Sequence, residues 1–227
     1  MPEVSSTKSV ARTQAELWQE IDELRQFFYD QVWKVSQEFW ASKPSGDRLT
    51  DWLQEQVWSE REGSKVHVYP VLKMADLLDP EALIMLCKQG SEEARHYQLL
   101  NPCLLARGRT LEGYEPHPNW SAIFQGCYEA AETRDPVVFF SLFYVGPFSE
   151  GAAAATARAA MEALIGTPDE DIGRAYEKIL VDELNHWDTG QEALKRYTRS
   201  VADAERALGA LKGAAKLLMS GVERRVT

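Results

Sequence analysis

The chain has 227 residues, 44% hydrophobic and 26% charged, which suits one globular domain over residues 1–227 and excludes a disordered chain. A formal charge of −10 repels phosphate backbones and argues against nucleic acid as a partner. No stretch approaches the roughly 18 unbroken apolar residues of a membrane span, and residues 1–13 carry no apolar run, so a cytoplasmic protein without a membrane partner is expected. Cys87, Cys103 and Cys127 are odd in number with no CxxC pair, which favours buried free thiols over disulfides or structural zinc.

The apolar periodicity is helical throughout and predicts an all-α fold. A first helix over about 14–41 places Leu17, Ile21, Leu24, Phe28, Val32, Val35 and Phe39 on one face, and Lys43-Pro44-Ser45-Gly46 ends it. A second helix runs from near Thr50 to Leu78, with a kink or short break expected from Gly63 and Pro70. Asp79-Pro80 starts a third, reaching about Arg107. After the loop 108–118 and a short helix near 119–133, Asp135-Pro136 opens a helix expected to continue to about Ile165, where Gly166 closes it. Thr167-Pro168-Asp169-Glu170 reads as a capping box for a helix toward Tyr197, and a last helix covers about 201–222.

Two segments 90 residues apart carry the same polar residues in the same order. Ser59-Glu60 matches Ser149-Glu150, and Glu92-Glu93-Ala94-Arg95-His96-Tyr97 matches Asp182-Glu183-Leu184-Asn185-His186-Trp187. Residues three apart share a helix face, so each Glu-x-x-His can chelate one ion. In the second repeat a reversal at Gly166 brings Glu150 and Glu183 to one level of an antiparallel pair. Together the repeats aim Glu60, Glu93, His96, Glu150, Glu183 and His186 at one point. Oxygen-rich ligands with two imidazoles suit two bridged iron ions, with manganese as the alternative. A lone Glu-x-x-His is usually a solvated surface pair. With about one residue in ten being Glu, the full set is a coincidence on the order of 1 in 10,000.

These residues resemble the ferritin-like di-iron carboxylate superfamily, marked by a single Glu on each of two helices and Glu-x-x-His on each of two others. The resemblance covers about 49–199. It implies a four-helix bundle with added first and last helices, Glu60 and Glu150 in the single-Glu positions, and Glu93, His96, Glu183 and His186 in the paired ones. It further implies that Glu92 bonds His186 and Asp182 bonds His96, fixing each imidazole from outside. Tyr97 and Trp187, beside the ligand histidines, are candidates for moving electrons, or are simply packed there.

The superfamily includes storage ferroxidases, peroxide-reducing proteins and oxygenases, so function must come from local features. Small residues around the ligands (Gly146, Ala153 and Ala154; Gly63 and Ser64) would leave a cavity, or allow close helix packing. Phe139, Phe143 and Trp58 would line it. The added helices and the loop favour an O2-dependent oxygenase or oxidase using two Fe2+/Fe3+ ions on a small organic substrate at a C-H, C-C or N-H bond. An external electron donor, a reductase or ferredoxin, is expected, and a homodimer is allowed. The alternatives are a ferroxidase, storage or peroxide-reducing protein and a metal-free interaction bundle. His67, near the expected kink, and His117, in a loop, have no acid at ligand spacing and are read as surface or loop residues. No Ser-His-Asp set or phosphate loop supports a hydrolase or nucleotide enzyme.

Overall fold

The computed structural model describes residues 12–145 and 150–222, without the side chains of 119, 144, 145 and 216–222. Among these residues every regular element is helical: α1 (Gln14–Ala41), α2 (Gly46–Met74), α3 (Pro80–Ala106), α4 (Pro118–Glu132), α5 (Pro136–Phe140), α6 (Glu150–Leu164), α7 (Glu170–Tyr197) and α8 (Val201–Val222). The all-α expectation holds. None of them is long and apolar enough to cross a membrane.

Local chemistry sets most of the starts. Thr13 and Glu16 close a capping box on α1, with Glu16 Oε2 accepting from the Thr13 N–H at 2.7 Å. Asp79 accepts from the Ala82 N–H at 2.8 Å with Pro80 in the first turn of α3, and Asp135 does the same for Val137 and Val138 at the start of α5.

Four expectations are corrected. Helix α2 continues through both Gly63 and Pro70 without the short break allowed for and ends in a 3-10 turn at Ala75–Leu77. Proline removes one N–H from the ladder, and Pro70 is buried within the helix. Residues 136–165 are not one helix. After α5 the backbone widens into a π-helical turn at Ser141–Val145, where Ser141 Oγ donates to the Val137 carbonyl at 2.6 Å and competes with the regular ladder. Glu150 belongs to α6, beyond this turn. The capping box at Thr167 does not close: Thr167 Oγ1 accepts from the Asp169 N–H, while the Glu170 carboxylate accepts from Gly166 N–H. Cys87 is exposed on α3, whereas Cys103 and Cys127 are buried, and all three are free.

Packing follows the repeat. A Cβ on Gly63 would lie 2.9 Å from Glu93 Oε2, and one on Gly90 would meet Val68 and His67, so α2 and α3 run antiparallel at close approach. In the other pair Gly151 abuts the Trp187 indole and Gly173 abuts Leu164 and Ile165, which sets α6 against α7 in the same sense. Arg107 at the end of α3 forks onto Asp169 and Asp171 at the start of α7, at 2.6–2.8 Å, joining the two pairs. Arg25 of α1 reaches Gln191 and the Trp187 carbonyl on α7.

The core has two apolar clusters. One gathers Val66, Met74, Leu86, Phe139, Phe140, Phe143 and Leu194; the other gathers Leu53, Val57, Leu100, Leu104, Ala157, Ile172, Tyr176 and Ile179. On α2, α3 and α7 the residues between those two sets include the partly buried Glu60 and the buried Glu93, His96, Glu183 and His186. A polar layer is thus sealed above and below by apolar side chains.

Candidate metal centre

Helix geometry delivers the six acids and imidazoles to that layer. Glu93 and His96, and likewise Glu183 and His186, lie three residues apart on the inner faces of α3 and α7. Glu60 comes from the middle of α2 and Glu150 from α6. Ligand atoms of Glu60, Glu93, His96 and Glu183 lie within 4.8 Å of one another, and so do those of Glu93, Glu150, Glu183 and His186. Glu93 and Glu183 belong to both groups. All six predicted residues are brought together.

Both imidazoles are held from outside. His186 Nε2 donates to Glu92 Oε2 at 2.9 Å and His96 Nε2 to Asp182 Oδ2 at 3.3 Å, the two cross-pair contacts expected from the sequence. That places a ring proton on Nε2 and turns Nδ1 inward. His96 Nδ1 faces Glu60 at 3.4 Å, Glu93 at 3.7 Å and Glu183 at 3.2 Å. His186 Nδ1 faces Glu93 at 3.4 Å, Glu150 at 3.5 Å and Glu183 at 3.7 Å.

These approaches lack hydrogen-bond geometry. Glu93 Oε1, His96 Nδ1, Glu183 Oε2 and His186 Nδ1 are all buried without a hydrogen-bond partner. Lone pairs aimed at lone pairs in a buried layer repel unless a cation or a proton stands between them. The donor set therefore fits two divalent ions, one in each group, with Glu93 and Glu183 shared between them.

The electrostatics point the same way. Burial pushes every carboxyl in the layer toward its neutral form. At Glu60 it prevails, aided by the charges of Glu93 and Glu183, and holds the group well above its ordinary range. Burial with the charges of Glu93 and Glu150 raises Glu183 to about 7. At Glu93 the imidazoles of His186 and His96 outweigh burial and the charge of Glu150, and the carboxyl falls to about 2. Glu150 is lowered likewise, against burial, by His186 and His67. Burial alone would depress His96 and His186, but the carboxylates facing them raise both far above the ordinary imidazole range. Without metal the cluster must keep protons in place of cations.

His67 was misread as a surface or loop residue. It is 1% exposed, with Nδ1 2.8 Å from the Gly63 carbonyl oxygen and Nε2 3.1 Å from Glu150 Oε1. Tyr176 was also missed: its buried hydroxyl has no hydrogen-bond partner, and burial with the nearby charges of Glu60 and Glu183 raises its pKa well above the usual range. Both carried a readable signal, since each lies seven residues, two helical turns, from a ligand. His117 is exposed, as expected of a loop residue.

The other singled-out residues mostly pack. Trp187 stacks on Tyr29 at 5.1 Å with the Arg25 guanidinium 4.1 Å above the ring, and Tyr97 packs at the edge of the second apolar cluster. Gly63 admits the Glu93 carboxylate, and Ser64 Oγ donates to the Arg61 carbonyl. Ala154 is buried and Ala153 half-buried, while Gly146 lies outside the described residues. Phe139 stacks on Phe143, which sets its edge against His67 at 4.5 Å, and Trp58 packs on Phe124.

No protein-family model matches the chain, and no curated protein matches it in sequence. Among solved structures, a domain of unknown function with a heme oxygenase-like fold from Shewanella denitrificans OS217 superposes with a TM-score of 0.68 at 14% identity. The match covers 95% of this chain and 92% of that one. At that identity the likeness concerns fold alone. The all-helical bundle expected from the sequence is borne out, and the likeness gives it a heme oxygenase-like fold, an all-helical fold related to the ferritin-like one.

Proposed function

We propose that the chain is a di-iron oxygenase or oxidase that uses O2 to oxidise a small organic substrate at a C-H, C-C or N-H bond. The observation that carries this reading is the pair of four-residue groups sharing Glu93 and Glu183, with buried nitrogen and oxygen atoms left unbonded inside them. Glu60, Glu93, His96 and Glu183 would hold one ion; Glu93, Glu150, Glu183 and His186 would hold the other. Reduced iron, when bound there, supplies electrons and an open position for O2.

The protein's part is geometric. Glu92 and Asp182 keep the Nε2 protons and leave Nδ1 of both histidines free for metal. Carboxylates outnumber imidazoles four to two in the set, which favours iron or manganese over softer ions. The apolar clusters on either side keep water from the layer, as reactive oxygen chemistry requires. Sustained turnover calls for electrons from outside, from a reductase or ferredoxin-like donor, because no redox group besides the ions belongs to the proposed set.

The test is an anaerobic Fe(II) titration followed by O2, with optical and Mössbauer detection. Uptake of two irons per chain that then stops, with antiferromagnetic coupling between them, is the expected result. A single uncoupled iron overturns the two-ion reading, and continued accumulation of ferric mineral overturns the oxygenase in favour of storage.

A further inference from the structure

The two halves of the centre match in their six acids and imidazoles, and His67 is a buried group that only one half carries. His67 lies two turns past Glu60 on the same face of α2, and it crosses the bundle to the acid of the other half. Its Nδ1 donates to the Gly63 carbonyl at 2.8 Å, which fixes the ring plane, and the Phe143 edge at 4.5 Å closes one side. A carbonyl and a carboxylate oxygen can only accept, so the ring donates from both nitrogens, Nε2 to Glu150 Oε1 at 3.1 Å. The other carboxylate oxygen, Oε2, faces His186 Nδ1 at 3.5 Å. One oxygen is anchored and its twin is aimed into the ligand group.

Under the 90-residue repeat, the position equivalent to His67 is Ala157, fully buried in the second apolar cluster. Alanine has no polar side-chain atom to offer Glu60. The carboxylate on α2 therefore lacks the anchor that the carboxylate on α6 receives.

We propose that His67 is a positioning residue that makes the two ion positions unequal, so that the group containing Glu150 and His186 binds its ion more tightly and fills first. The inference rests on the two-ion reading above. Groups that orient a ligand from outside typically change metal affinity by about 10–100-fold, and only one half of this centre carries such a group on its single Glu.

Mn(II) is the probe, followed by calorimetry and electron paramagnetic resonance on the full chain. Wild type is expected to bind in two steps at least about tenfold apart, with an isolated six-line manganese signal preceding that of a coupled pair. In His67→Leu the first step weakens about 10–100-fold, the steps merge, and the coupled signal grows from the first additions. His67→Gln, whose amide can still donate to Glu150, restores two steps. Should His67→Leu not fold, Glu150→Gln and Glu60→Gln decide: the tight step disappears in the first and survives in the second. Unchanged steps in folded His67→Leu, equal weakening of both, or loss of the tight step in Glu60→Gln overturns the inference while leaving the two-ion reading intact. Wild type binding fewer than two ions overturns that reading itself, and this inference with it.

Discussion

The α2–α3 half and the α5–α7 half present the same acids and imidazoles, yet they are built differently. Glu60 sits in the middle of a continuous 29-residue helix, whereas the stretch leading toward Glu150 carries a π-helical turn at Ser141–Val145. Their relation to the facing histidine is nonetheless nearly equal, 3.4 Å for Glu60 to His96 and 3.5 Å for Glu150 to His186. Ligand placement thus depends on which level and face an acid reaches and tolerates a change in the backbone that carries it. The halves differ instead in what stands behind the ligands: His67 against Ala157, and Tyr176 against Leu86.

Removing a shared residue should break both halves at once. Glu93→Ala or Glu183→Ala is expected to abolish binding of both ions, a loss of more than about 100-fold in affinity, and with it O2-dependent turnover. Glu60→Ala and Glu150→Ala should each leave one ion bound, which metal analysis of the purified variants will read. Equal losses in all four variants would mean that Glu93 and Glu183 are not shared.

The outer acids should give a smaller effect. Glu92→Ala and Asp182→Ala are each expected to weaken one ion by about 10–100-fold. The larger effect belongs to Glu92, whose contact to His186 is 2.9 Å against 3.3 Å for Asp182 to His96. Calorimetric titration of the two variants side by side checks the order.

Acidity separates the empty centre from the filled one. Glu93 and Glu150 are lowered in the folded state, so their contribution is present above the ordinary carboxyl value of 4.5 and is lost as pH falls below it. Glu60 and Glu183 are raised, so the fold is penalised as pH climbs from 4.5 through about 7. His96 and His186 are raised, and their contribution is complete below 6.5 and declines above it. Chelator-treated protein should therefore be most stable near pH 5 and lose about 1.4 kcal/mol per pH unit for each extra proton the fold retains. Urea unfolding between pH 5 and 8 will show this slope, and bound metal should flatten or reverse it by taking the place of the protons.

The smallest effect expected is at Tyr176. Its buried hydroxyl has no partner, so Tyr176→Phe should stabilise the protein by about 1 kcal/mol and leave ion binding unchanged, as thermal unfolding and metal analysis will show. A loss of turnover with both ions still bound would instead give the phenol a role in the reaction.

Much of this was legible in the residues. The 3.6 period of the apolar positions and the Asp-Pro starts at 79 and 135 marked helices, because capping and burial act locally along the chain. The two Glu-x-x-His pairs and their equal spacing to Glu60 and Glu150 were also readable, since helix geometry fixes which residues share a face, while the outer contacts of Glu92 and Asp182 came from the family resemblance. Three things were decided only in three dimensions. Helix α2 passes through Pro70, which is buried within it, despite one missing hydrogen bond. The helix expected to carry Glu150 from Pro136 is interrupted at Ser141, where a side chain competes for the backbone carbonyl. His67 meets Glu150 although 83 residues of chain separate them, a contact set by the facing of two helices and not by the spacing along either one.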